Sequence, residues 1–137
     1  KMEKANELAA AGSSYLYHPT NKQMIILVLP KEGVDITYLK TRISDFHTKN
    51  IANEVFEISA LLLGMDKHLI MIKNFENTKE SMQYYKLFIK DSVVMNILNK
   101  SPHKIMSISL ENFQEFYKNK DVEGYYNFFT NNYSIID

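Results

Sequence analysis

The chain has no cysteine and no tryptophan, three prolines and four glycines among its 137 residues, and a single arginine, Arg42. Without cysteine there is no disulfide, no thiolate nucleophile and no cysteine-ligated zinc. With so few glycines there is no glycine-rich loop to cradle a phosphate; Gly12, Gly33, Gly64 and Gly124 all fall at turns or caps. One guanidinium is little for bidentate reading of phosphates or carboxylates. Excess charge of either sign is lacking too. Sixteen basic and sixteen acidic side chains leave a formal charge of +0, so no net field draws the chain toward nucleic acid or an anionic membrane. There is no 18-residue apolar run, so nothing reads as membrane-spanning in this fragment. The charged opening Lys1-Met2-Glu3-Lys4 is not followed by the apolar core of a signal peptide.

What is present is globular. Hydrophobic residues make up 45% and charged residues 23%, and the length suits one domain that can bury a core unaided. Residues 1–20 read as a linker or the end of a preceding helix: Ala5 to Ala11 favours helix, and Gly12-Ser13-Ser14 stops it. The first residue is Lys1 and not Met, which points to a piece of a longer chain. Residues 21–137 read as a single α+β domain.

Met24-Ile25-Ile26-Leu27-Val28-Leu29, closed by Pro30, has the form of a strand buried on both faces. Asp35 is placed to cap a helix over 36–49, with Ile36, Leu39, Ile43 and Phe46 on one face. Strands are expected near 54–63 and 68–73, joined through Gly64-Met65-Asp66-Lys67 as a hairpin. Asn77 and Glu80 form a capping box that opens a helix, and Asp91 restarts a second helical piece. A fourth strand fits 104–110. The order β-α-β-β-α-β is the ferredoxin-like split arrangement, an antiparallel sheet of four strands with two helices on one face. Residues 111–133 remain as an extra aromatic helix-turn-helix, with Asp121 as the second cap.

The first and third strands are apolar on both faces. The helix-free face is expected to present Leu27, Leu69 and Met71. Either the aromatic tail covers that face or it is a contact surface for a partner, because large exposed apolar patches are uncommon.

No catalytic constellation is legible. His18, His47, His68 and His103 share no metal-ligand spacing and read as surface histidines beside turns and helix ends. Asp66-Lys67-His68 reads as turn chemistry. Tyr84-Tyr85 and Tyr125-Tyr126 sit at helical spacing and read as core. The central strands hold no aromatic for stacking bases, which with the neutral charge argues against nucleic acid. The residues therefore call for no enzyme activity, no cofactor and no metal.

Two resemblances bear on function. The run Ile70-Met71-Ile72-Lys73-Asn74-Phe75, followed by the polar stretch from Glu76 to Ser81, resembles the second half of SPOR-type domains. That likeness implies a peptidoglycan-binding module, although SPOR domains keep a polar sheet face. A closer resemblance, over nearly the whole chain from about Tyr15, rests on Tyr17-His18-Pro19, Val34-Asp35-Ile36, Met71 to Phe75, Met82-Gln83-Tyr84-Tyr85, and Ser109 to Lys118 continuing to Asp121, Tyr125, Phe128, Phe129 and Tyr133. These segments resemble the C-terminal domain of tetratricopeptide-repeat proteins of Bacteroidetes, some tied to gliding motility and type IX secretion. The resemblance implies a non-enzymatic protein-binding or scaffolding domain of a larger cell-envelope protein, placed in the periplasm or envelope, with protein partners.

Overall fold

The structure, a computed structural model, describes residues 15–133. The helical or linker reading of the Ala-rich start lies outside the described residues. Strand β1 is Gln23–Pro30, helix α1 Ile36–Asn50, β2 Glu57–Leu63, β3 Lys67–Phe75, α2 Thr78–Phe88, α3 Ser92–Leu98, β4 Lys104–Ser109, α4 Leu110–Asn119 and α5 Val122–Asn132. The four strands form one antiparallel sheet in the order β2-β3-β1-β4. The fold is α+β, with five helices among the described residues and aromatic-rich C-terminal helices.

The expected caps start the expected helices. The Asp35 carboxylate accepts the Tyr38 N–H at 3.0 Å, and Asp91 accepts the Val94 N–H at 2.9 Å. Asn77 accepts the Glu80 N–H at 3.0 Å, while Glu80 reaches back to the Glu76 N–H, one residue before the cap. Each bond satisfies an N–H that the first helical turn leaves unpaired. Asp121 accepts the Gly124 N–H at 2.9 Å, and a Cβ at Gly124 would collide with that carboxylate. Gly64 takes φ +68° in the β2–β3 turn, a conformation that costs glycine little.

Several boundaries differ from the sequence reading, most by one residue, and three have a visible cause. Residues 54–56 are not strand: Phe56 leaves the sheet edge to stack on Phe75 at 4.8 Å between ring centroids. Strand β3 runs on to Phe75, which pairs with Gln23 across a register shift beside Ile25, and Asn74 has φ 90°. Leu110 belongs to α4 and not to the fourth strand, because the Ser109 hydroxyl accepts the Asn112 N–H at 3.1 Å and caps the helix.

Both faces of the sheet are covered. One face presents Ile25, Leu27, Leu29, Ile70, Ile72 and Ile105 to α1, α3 and the Tyr84–Phe88 side of α2. The other presents Met24, Ile26, Val28, Leu69, Met71, Met106 and Ile108 to Tyr15, α4 and α5, with Phe116, Tyr125, Phe128 and Phe129 buried against them. Tyr85 on α2 packs against both cores. Upstream of the boundary drawn at residue 21, Tyr15 is buried. Leu16 exchanges two hydrogen bonds with the Asn112 amide, donating at 3.2 Å and accepting at 2.7 Å.

A buried polar knot joins these layers. Gln23 Oε1 accepts from the hydroxyls of Ser107 at 3.0 Å and Tyr133 at 2.8 Å. Its Nε2 donates to the carbonyls of His18 and Asn21. The Ser81 and Ser107 hydroxyls lie 2.7 Å apart, and Tyr125 donates to the Ser107 carbonyl at 2.7 Å. Burial raises the pKa of Tyr125 and Tyr133, so both stay neutral and able to donate.

Two stability predictions follow from this packing, both checked by urea denaturation. Phe129→Ala should cost about 3–5 kcal/mol, as for other fully buried rings, while Leu110→Ala, exposed on α4, should cost less than about 0.5. Gln23→Leu should exceed Tyr133→Phe, because it removes the acceptor of two hydroxyls and the donor to two carbonyls, at about 0.5–1.5 kcal/mol per bond, whereas Tyr133→Phe removes one of these bonds and leaves the Gln23 oxygen with Ser107.

Candidate functional site

The three residues expected on one open face do not share it. In an antiparallel sheet, residues directly opposite one another point to the same side. Leu27 pairs with Ile70 and Ile105, so it faces α1 and α3; Leu69 and Met71 pair with Val28 and Ile26 and face the aromatic tail. All three are buried. Alternation within each strand was legible in the sequence, but the register between β1 and β3 was not. That register moves Leu27 to the face opposite Leu69 and Met71.

The histidines stand apart, and none is fully exposed. Among the described residues, no group of three or more His, Asp or Glu side chains is placed to hold a metal. His47 is the one histidine built into packing: its Nε2 lies 2.7 Å from the Tyr84 hydroxyl, and its ring lies against Phe46, Phe56 and Tyr84. This burial lowers its pKa to about 4, so the imidazole is neutral at pH 7. The unfolded chain takes up this proton near pH 6.5 and the folded chain only near 4. Stability is therefore lost as pH falls from about 6.5 through about 4. Thermal unfolding followed by circular dichroism should show this slope, and His47→Gln should flatten it over that window.

The clefts offer little for a small molecule. One of about 300 Å³ lies at the Pro30 end of β1, bordered by Asp66, Lys67, His103, Lys104 and Glu123. Its charges are matched among themselves, with Lys67 3.3 Å from Asp66 and Lys104 3.9 Å from Glu123. His103 Nδ1 lies 3.0 Å from the Ser101 carbonyl. A hollow of about 210 Å³ beside Phe56 carries Glu54 and Glu80, but the Phe75 and Tyr84 rings behind it are buried in the core.

The two edges of the sheet differ sharply. Past Lys104, every residue of β4 is buried, and α2, α4 and α5 all contact that strand. Among the described residues, strand β2 pairs only with β3, in a regular register from Glu57↔Lys73 to Leu63↔Lys67. Its other side therefore presents backbone N–H and C=O groups that no described strand pairs. Leu61 is 40% and Leu62 47% exposed, on opposite faces of the strand. Val55 before the strand and Met65 after it are 85% and 90% exposed, well above any other large apolar residue described. The strand has no lysine, proline or bulge, the devices that ordinarily protect an edge. The Tyr117 hydroxyl, 3.4 Å from the Leu62 carbonyl, borders it from the α4 side.

Sequence reading takes 23–29 and 68–73 as the central strands, which leaves 54–63 at an edge, as the sheet order has it; it does not single out the contact surface on that edge. Its signal is Ala60-Leu61-Leu62-Leu63, consecutive apolar residues where a half-buried strand would alternate. Compared with family models, curated proteins and solved structures, the chain matches none.

Proposed function

We propose that this chain is a non-enzymatic protein-binding or scaffolding module, and that the open edge of β2 is its contact surface. The observation that carries the reading is the strand from Glu57 to Leu63, paired on one side only among the described residues and flanked by exposed Val55, Leu61, Leu62 and Met65. An edge strand offers main-chain hydrogen bonds to any extended segment laid beside it, and its side chains supply selectivity.

The strand order and the two-helix βαβ crossovers support a ferredoxin-like core to which the C-terminal helices add a second cover. Membership of a larger tetratricopeptide-repeat protein of the cell envelope is carried by the resemblance of the segments from Tyr17 to Tyr133. The alternative, a SPOR-like peptidoglycan-binding module, has less support. Glycan hydroxyls lose water on binding and need polar partners on an open surface, whereas α4 and α5 lie over the sheet face in question.

The test is site-specific photo-crosslinking in the intact protein in its own cells. A photoreactive residue at Leu61 should give a discrete protein adduct, while the same residue at Lys118, exposed on α4, should give none. Adduct formation at Leu61 no greater than at Lys118 counts against the edge as a binding surface.

A further inference from the structure

We infer that the occupant of the β2 edge is a second copy of this chain, the two β2 strands pairing antiparallel about a two-fold axis at Ala60. The inference rests on the reading of that edge as an interaction surface and names its partner. Two four-stranded sheets would then continue into one of eight strands.

The first argument is geometric. Leu61 and Leu62 are neighbours in sequence and point to opposite faces of the sheet. A helix or loop resting on one face would cover only one of them. A strand running alongside in the plane of the sheet brings side chains to both faces and covers both.

The second is register. Ala60 is the middle residue of Glu57–Leu63. Antiparallel pairing about it sets Leu62 across from Ile58 of the second copy, Leu61 across from Ser59, and Glu57 across from Leu63. In that register Leu62 meets Ile58 on one face and Leu61 lies beside Ser59 on the other, once on each side of the axis. This is the self-complementarity that a two-fold interface requires, in which one patch serves as both surfaces.

The third is charge. Glu57 is the only charged residue on β2. The two-fold sends the two copies of it to opposite ends, about 20 Å apart at the usual rise per residue. Each Glu57 already faces Lys73 across its own hairpin, and Leu63 faces Lys67. In the joined sheet, Lys73, Glu57, the second copy's Leu63 and its Lys67 form one row on one face, with Lys73 directly across from the carboxylate and no second anion in the row. The nearest like charges, Glu54 and the second copy's Asp66, fall outside the paired strands, and Asp66 keeps Lys67 beside it at 3.3 Å.

The absence of cysteine from the chain makes the test direct. In sedimentation equilibrium, the mass of the full chain should rise from 16.0 kDa toward twice that value as concentration increases from about 10 µM to about 1 mM. Leu61→Lys with Leu62→Lys should weaken association at least tenfold with an unchanged circular dichroism spectrum, since both side chains are exposed. Ala60→Cys should form an intermolecular disulfide under mild oxidation, and Lys118→Cys should not. Mixed Ser59→Cys and Leu61→Cys chains should cross-link to each other in preference to themselves. A monomer throughout the concentration range overturns the inference. So does a dimer that survives both lysines and does not cross-link through position 60; association would then lie elsewhere, as at exposed Leu87, Ile89 and Val93. A monomer whose position 61 captures a different protein leaves the binding role standing and removes only the second copy as its partner.

Discussion

A strand that is apolar on both faces is stable only between two covers, and that constraint organises this molecule. Each aliphatic side chain of β1 or β3 left in water would forgo about 1.5–3 kcal/mol of burial. The β-α-β-β-α-β portion supplies helices to one side: Leu39, Ile43 and Phe46 of α1 with Val94 and Leu98 of α3 close over Leu27, Ile70 and Ile72. The opposite side, with Ile26, Leu69, Met71 and Met106, is closed by rings from the C-terminal helices and by Tyr15. The tail is therefore part of the core, and the sheet without it would expose a face that belongs inside. The edge-to-face contact of Tyr15 with Tyr125, at 4.9 Å between centroids, shows that the two ends of the described chain close over the same surface.

The polar knot around Gln23 explains how two greasy layers keep one register. Apolar packing rewards burial but tolerates sliding, whereas buried hydrogen bonds are lost when partners shift. Gln23 sits at the head of β1, Ser107 on β4, Ser81 on α2, and Tyr125 and Tyr133 in and after α5. Their bonds tie both covers to the same two strands. The placement of α5 depends on Tyr125 finding the Ser107 carbonyl as much as on the rings beside it.

The elements with strong local chemistry were legible in the sequence: Asp35, Asn77, Asp91 and Asp121 each announce a helix by the N–H they accept. So was the doubly apolar character of β1 and β3. What could not be read depends on distant pairing. Leu27 was grouped with Leu69 and Met71, but its partners Ile70 and Ile105 place it on the other face, and only the register between strands decides that. Ser109 looked like strand because its side chain alternates correctly; that it also caps α4 follows from the chain turning there. That β2 lies at an edge followed from taking β1 and β3 as the central strands; the exposure of Leu61 and Leu62 there was not legible, because it depends on what the helices leave uncovered.

The two edges meet the same hazard in different ways. Strand β4 is the outer strand on one side, and it is sealed by helices that the chain has already folded over both faces; Tyr85 of α2 and Tyr126 of α5 border the same hollow beside Ile105. Sealing β2 would have needed a further element on the side away from β3, and the hairpin instead turns back through Gly64 with nothing outside it among the described residues. A strand in that position would ordinarily carry lysine or proline to prevent pairing, at no cost to the core, because Leu61 and Leu62 contribute little to it. That apolar side chains stand at positions where charge would be free of penalty is a departure from what folding alone selects. The stability of the domain does not call for them, and the proposed contact with another strand would.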